Sequence, residues 1–472
     1  MKQEPLWSGL ALVGALQARV SGSLAREATG VSIDTRTLNP GDLFVAIKGD
    51  ARDGHEFVRA ALEKGAAAAV IDEAHATDLA GSGPLFVVKD VQRSLELLGM
   101  RARDRSSALV AAITGSVGKT STKDMTRLML SHFGATHASV ASYNNQWGVP
   151  LTLARMPAGS RYGVFELGMN HAGEIAGLVA QVRPHVAVVT KVAAVHLEHF
   201  ESVDGIADAK AEIFSGLEGG VAIINRDDEY YERLAAAAAQ TAGHVFGFGE
   251  SEDAQARLLS YRQLDDGCEV EAQVLDRRLS YRIGAPGKHI ALNSLAALLV
   301  AVVFDLNLEK AAAALADFAP PSGRGQRETL SSGNGDFTLI DESYNANPTS
   351  MRAAFELLGA TAPGAGGRRI AVLGDMLELG PQAGELHAEL AADLSRANVD
   401  YLFTAGPLMQ RLYYAAPEAM RAAHRATAME LEEAVLSEIR AGDVVMIKGS
   451  NGSKMSRIVA ALKTKFGAEQ AS

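Results

Sequence analysis

Between residues 109 and 122 an apolar run, Leu109 to Ile113, passes through Thr114-Gly115-Ser116-Val117-Gly118-Lys119-Thr120-Ser121 into a segment whose apolar residues, Met125, Leu128 and Met129, recur at helical spacing. Strand, glycine-rich turn and helix in that order commit this part of the chain to a layered α/β fold. They also commit it to a chemistry. Glycines let successive backbone N–H groups turn toward bound phosphates, Lys119 adds a point charge, and the Thr120 hydroxyl is placed to ligate Mg²⁺. Gly115 and Gly118 have two residues between them, where the common phosphate loop has about four. The expectation is a nucleotide polyphosphate, ATP, held by Gly115, Ser116, Val117, Gly118, Lys119, Thr120 and Ser121.

The rest of the 472-residue chain is too long for one core, and its length suggests about three domains. Strand-like runs at Leu43 to Ile47, Ala68 to Ile71 and Leu85 to Val88 alternate with helical stretches and predict a small α/β unit over 1–103. From 104 to 321, runs such as Arg161 to Glu166, Val186 to Val189 and Gly220 to Asn225 recur between helices, the pattern of a parallel sheet. Pro320-Pro321-Ser322-Gly323 reads as a linker. A third alternation, over 322–472, predicts a doubly wound fold.

A net charge of −11 excludes an extended nucleic-acid surface as the main function. The single Cys268 allows no internal disulfide, the N-terminus has no signal-peptide pattern, and no apolar run reaches the about 20 residues of a membrane span. A cytoplasmic protein that makes no membrane insertion is expected.

Glu166 ends the strand-like run beside the phosphate loop and would offer Mg²⁺ an oxygen ligand at the carboxyl edge of the sheet. His196 follows the run Val186 to Val189 and would reach the same edge as a further metal ligand. Lys210, taken alone, is a solvated lysine on a predicted helix.

Several separate stretches resemble one family. Val31-Ser32-Ile33-Asp34-Thr35-Arg36, Gly41-Asp42-Leu43-Phe44-Val45-Ala46 and Asp53-Gly54-His55 resemble the UDP-sugar-binding domain of the Mur ligases of peptidoglycan synthesis. The short loop Thr114 to Thr120 is similar to that family's ATP loop. Ile340-Asp341-Glu342-Ser343-Tyr344-Asn345-Ala346-Asn347-Pro348-Thr349-Ser350-Met351 and Leu373-Gly374-Asp375-Met376-Leu377-Glu378-Leu379-Gly380 look like the member that joins D-alanyl-D-alanine to UDP-N-acetylmuramoyl-tripeptide.

The resemblance implies an ATP-dependent amide ligase acting through an acyl phosphate, with two Mg²⁺ ions and no nucleic-acid partner, working as a monomer. It implies that Lys119 and Thr120 bind phosphates and metal, that Glu166 and His196 are metal ligands, and that Lys210, if carbamylated, helps hold the second ion. Asn293, Arg324 and Asp341 would contact the nucleotide, Asp341 at the ribose. Ser32, Asp34, Arg36 and His55 would serve the uridine diphosphate part, and Asn144 and Asn145 the muramoyl part. Tyr344, Asn345, Asn347 and Ser350 would face the dipeptide. The chain departs from the family pattern at Lys191, at Ala193-Ala194-Val195 and at Asn451, which stands where arginine is common. Two other readings stay open from residues alone: a different ligase on the same scaffold, such as a folylpolyglutamate synthase, and a non-catalytic nucleotide switch.

Overall fold

The computed structural model describes residues 5–25, 27–49, 52–140, 142–195 and 197–467. In the first domain, strands Gly30–Ser32, Asp42–Val45, Ala68–Asp72 and Leu85–Val88 lie parallel and side by side, and Arg19–Ser21 closes the far edge antiparallel. Helix Val91–Asp104 begins on the Asp90 side chain, which accepts from the Arg93 amide, and buries Leu95, Leu98 and Ala102 against the sheet.

The central domain is built on nine strands. Leu109–Thr114 is the third strand from one edge, between Tyr162–Glu166 on one side and Val186–Val189 on the other. Its residues alternate between two cores: Ala111 and Ile113 pack with Met125, Met129 and the long helix Lys288–Val303, while Val110 and Ala112 pack with Phe165, Val179 and Val189. A strand buried on both faces reads as a continuous apolar run, which is why this one is plain in the sequence. Lys288–Val303 is apolar nearly all round because it is enclosed on nearly every side.

The sheet is not wholly parallel, as the strand-helix alternation had suggested. Ala256–Leu264, Gly267–Val274 and Arg277–Ile283 form an antiparallel meander that extends one edge. Its outer strand alternates exposed and buried residues, the signature of a sheet covered on one face only.

The third domain has six strands. Asp336–Glu342, Val444–Lys448, Arg369–Gly374, Tyr401–Ala405 and Arg421–Arg425 are parallel in that spatial order, and Gln326–Ser331 pairs antiparallel with the first. Glu342 and Lys448 end neighbouring strands in register, so their side chains leave the sheet together.

Arg105 fixes the first domain to the second. Its guanidinium lies 3.7 Å from the centroid of Trp7 and donates to the carbonyls of Leu6 (2.7 Å) and Met156 (3.2 Å). The Trp7 indole N–H donates to Ala154 O at 2.9 Å. Among the described residues no helix is long and apolar enough to cross a membrane.

Candidate active site

The loop after Leu109–Thr114 takes the shape its glycines permit. Gly115 (φ +149°) and Gly118 (φ +86°) both occupy backbone regions that L side chains avoid. A Cβ on Gly118 would lie 2.8 Å from the Asn293 amide nitrogen, so the loop rests directly on Asn293 of the long helix. Ser116 is locked by exchange with Ala193: its hydroxyl donates to Ala193 O at 3.0 Å and accepts from Ala193 N at 2.9 Å. Its own amide donates to Lys191 O at 2.6 Å, and Thr190 donates its hydroxyl to Val117 O at 2.6 Å. At Lys191 and Ala193 the contacts are made by backbone atoms. Helix Lys119–Ser131 starts at Gly118 with no side-chain cap, leaving its first amides, including that of Ser121, for a ligand.

Around that helix end Lys119 lies near the Glu166 carboxylate, and Arg324 and Lys210 each lie near Lys119. Glu166, 1% exposed, accepts from the Thr120 hydroxyl at 2.8 Å and from the Asn144 side-chain amide at 2.7 Å. Lys119 Nζ donates to Gly115 O at 2.6 Å. Burial pushes the Lys119 ammonium below the ordinary lysine range; Glu166 opposes that shift and Arg324, reaching in from the interdomain linker, adds to it. Lys210 lies on helix Val203–Ala211, which begins at a Ser202 cap. It is not the solvated residue its position on a helix suggested. It is 2% exposed, its pKa is driven well down by burial and then by Lys119, and no carboxylate among the described residues is within ion-pair distance of it. His196 lies outside the described residues.

The donor set suits a hard cation. Glu166 and Thr120 offer oxygens side by side at the helix start, as Mg²⁺ requires. Burial and the nearby Lys119 charge favour the neutral Lys210 amine over its ammonium, and the neutral amine is the form that reacts with CO₂ to give a carbamate, an oxygen donor.

Arg324 donates to the Ser142 hydroxyl at 3.1 Å, two residues from Asn144. Asn145 accepts from the amides of Trp147 (3.2 Å) and Gly148 (2.9 Å), so it braces the turn that leads into helix Gly148–Ala154. Asp341 is buried and already committed: it accepts from the amides of Gly323 (3.0 Å) and Ser343 (3.1 Å) and the hydroxyl of Ser343 (2.6 Å). Glu342, the next strand residue, points to the opposite face, where Lys448 donates to it at 3.2 Å and to the Asn345 carbonyl at 2.9 Å. His289, one turn before Asn293, is held below its ordinary pKa by burial, with Glu342 opposing and Lys448 reinforcing. The sequence reading missed His289, Glu342 and Lys448. A charge ending the apolar run Val444 to Ile447 was the available signal for Lys448.

Asn347 and Ser350 form a capping box at the start of helix Pro348–Ala360, each side chain accepting from the other's backbone amide. Tyr344 and Asn345 stay exposed. Asn451 lies in a short turn after Lys448.

In the first domain, Arg36 is exposed and donates twice to the Asp34 carboxylate, which it holds below the ordinary range. Ser32 is buried beneath that turn and bonds the Asp34 backbone. His55 is buried, its ring stacked on His75 at 3.9 Å. Asp53, His55 and His75 lie within metal-ligand distance of one another. His55 Nε2 accepts from the Asp72 amide at 3.1 Å, however, which puts the ring proton on Nδ1, 2.6 Å from Asp53. Neither nitrogen keeps a lone pair for an ion, and the cluster is a hydrogen-bond network.

Fold and site together define a three-domain protein built around a phosphate-loop nucleotide-binding core, with a flanking α/β domain reaching the loop through a linker arginine. Models of the Mur ligase family, catalytic domain, of the Mur ligase middle domain and of the Mur ligase, glutamate ligase domain match residues 27–105, 113–301 and 323–451. A UDP-N-acetylmuramoyl-tripeptide--D-alanyl-D-alanine ligase of Escherichia coli is 34% identical over 92% of this chain and 93% of its own length. The enzyme of the same name from Rickettsia prowazekii is 30% identical over 96% of this chain and 99% of its own. The crystal structure of MurF from Acinetobacter baumannii superposes with a TM-score of 0.85 at 28% identity, covering 98% of this chain and all of the other. The chain belongs to the Mur ligase family.

Proposed function

We propose that this protein joins D-alanyl-D-alanine to UDP-N-acetylmuramoyl-tripeptide at the expense of ATP, giving the UDP-N-acetylmuramoyl-pentapeptide precursor of peptidoglycan. The reading is supported by the end-to-end likeness to ligases of that name. The observation that carries the chemistry is the gathering of Lys210 and Arg324 about Lys119, beside the Glu166 carboxylate, at a glycine-framed helix start. Such a site is built to gather anions.

The terminal carboxylate of the tripeptide attacks the γ-phosphorus of ATP, forming an acyl phosphate and releasing ADP. The free amine of the dipeptide then attacks the acyl carbon, phosphate departs, and the amine proton leaves to solvent or a basic group. Activation is needed because a carboxylate is a poor electrophile; phosphate is the better leaving group. The protein's part is positioning and charge stabilisation.

Lys119 and the open amides of the following helix hold the phosphates, and Asn293 contacts the nucleotide. Thr120 and Glu166 would hold one Mg²⁺; His196 and carbamylated Lys210 would hold a second. The ions would screen repulsion between triphosphate and carboxylate. Arg324 reaches the phosphates from the linker. Asp341 would reach the ribose only by giving up its bonds to the linker, so in this conformation it serves the nucleotide by fixing Arg324. Ser32, Asp34, Arg36 and His55 frame the uridine diphosphate end, Arg36 swinging from Asp34 onto the diphosphate. Asn144 and Asn145 face the muramoyl part, and Asn345, Asn347 and Ser350 the acceptor side. We place the enzyme in the cytoplasm, as a monomer.

Purified protein with ATP, Mg²⁺, the UDP-linked tripeptide and D-alanyl-D-alanine is expected to release phosphate only when both peptides are present, with the pentapeptide identified by mass. Faster turnover with glutamate or diaminopimelate as acceptor would replace this assignment by another ligase. Nucleotide binding without any turnover would favour a switch.

A further inference from the structure

The linker arginine is held in an unusual way. Arg324 lies between two glycines with left-handed backbones, Gly323 (φ +78°) and Gly325 (φ +95°), so the chain turns sharply on both sides of it. The turn is tied to the end of strand Asp336–Glu342 by three bonds: Gly323 N to Asp341 Oδ2 (3.0 Å), Gly325 N to Asp341 O (2.9 Å) and Tyr344 N to Gly323 O (3.0 Å). A Cβ on Gly323 would sit 2.9 Å from the Tyr344 Cβ, so turn and tyrosine are in direct contact. The Arg324 guanidinium lies 4.1 Å from the centroid of the Tyr344 ring. Its far end donates to Ser142 across the domain boundary.

Among the described residues no carboxylate pairs with Arg324 within salt-bridge distance; the aromatic ring takes that place. The distinction matters physically. A carboxylate would hold the guanidinium and cancel its charge, whereas a neutral ring holds it through the quadrupole and leaves both the charge and most of the five N–H donors free for an anion.

We propose that Tyr344 is a positioning residue that carries Arg324 to the phosphate site, so that the acceptor segment and the nucleotide site share one hinge. This rests on the assignment of Arg324 to ATP made above. It gives Tyr344 a task other than direct contact with the dipeptide, and it makes the segment Tyr344 to Asn347 a mechanical link. Movement of that segment as the dipeptide enters shifts the ring on which Arg324 stands.

Steady-state kinetics of the full-length enzyme with all three substrates test this, using Tyr344→Phe, Tyr344→Leu, Arg324→Ala and the double variant Tyr344→Leu/Arg324→Ala. Removing the ring in Tyr344→Leu is expected to raise KM for ATP about 5-fold while KM for D-alanyl-D-alanine stays within about twofold of wild type. Tyr344→Phe, which keeps the ring, restores the ATP KM. In the Arg324→Ala background the leucine substitution adds nothing, because the group it positions is gone. A rise confined to the dipeptide KM, or effects that multiply in the double variant, would overturn the positioning role alone. An unchanged ATP KM in Arg324→Ala would remove the assignment of Arg324 to ATP, and the proposal with it.

Discussion

Replacing Lys210 by methionine separates what the active site costs from what it does. The lysine is 2% exposed, and burial, with the charge of Lys119 added, holds its pKa well below the ordinary value. Each unit of such a depression is about 1.4 kcal/mol. In the window between the lowered folded pKa and the unfolded value of 10.5, the unfolded chain carries a proton that the native chain does not, so stability rises with pH. Below the window both states are protonated and the native state bears the whole cost of a buried cation. Methionine has similar length and no charge. Lys210→Met is therefore expected to stabilise the central domain by about 1–3 kcal/mol near neutral pH or below, with the gain shrinking toward zero above the window.

The assay is urea unfolding followed by tryptophan emission, Trp147 lying in the central domain, in CO₂-depleted buffer at about pH 6.5 and about pH 9.5. Ligase turnover should fall by more than about 100-fold in the same variant, and added bicarbonate should shift the wild-type unfolding midpoint but not that of Lys210→Met. A variant less stable than wild type at neutral pH, or one whose stability follows pH with the wild-type slope, would refute the electrostatic account of this residue.

Three further outcomes are expected. Gly118→Ala places a Cβ against Asn293 at a backbone angle of +86°, and should weaken binding of a non-hydrolysable ATP analogue at least about 10-fold by calorimetry through strain of roughly 1–2 kcal/mol and displacement of Asn293; wild-type affinity would contradict the loop geometry. Asp443 has a fully buried side chain that accepts from Arg368 (Nη2, 2.8 Å) and from the amides of Arg368 (3.0 Å) and Arg440 (2.9 Å). Asp443→Asn should cost about 3 kcal/mol of third-domain stability, read as a lower Tm with nucleotide affinity unchanged. Arg105→Ala removes the guanidinium from Trp7 and from the carbonyls of Leu6, in the first domain, and Met156, in the second, so the Trp7 emission should shift to the red and cleavage by trypsin near the first domain boundary should quicken, for a loss of about 1–2 kcal/mol.

The local parts of the site are written in short stretches of chain. Leu109 to Thr120 reads as strand, loop and helix because apolar run, glycines and helical spacing follow one another within a dozen residues, and the phosphate loop forms where they predict. The Asn-Ala-Asn-Pro turn is legible for the same reason: Asn347, proline and Ser350 make a capping box by contacts three residues apart.

What the sequence by itself determined is therefore the set of local elements: strands buried on both faces, a phosphate loop shaped by glycine, helices begun by their caps, and through the motifs the family. Tertiary structure alone decided which of those elements meet. The meander Ala256–Leu264, Gly267–Val274 and Arg277–Ile283 alternates as any exposed strand does, but only pairing sets its direction. Asp341 and Glu342 are adjacent acids, and the pleat alone sends one into the linker and the other toward Lys448 and His289. Lys210 reads as solvated until the fold buries it beside Lys119, and Arg324 as a loose linker residue until Tyr344 lies beneath it. The physical reason is the same in each case: backbone preference acts over a few residues, whereas burial, charge and pairing depend on neighbours that only the folded chain brings together, Glu342 and Lys448 being 106 residues apart.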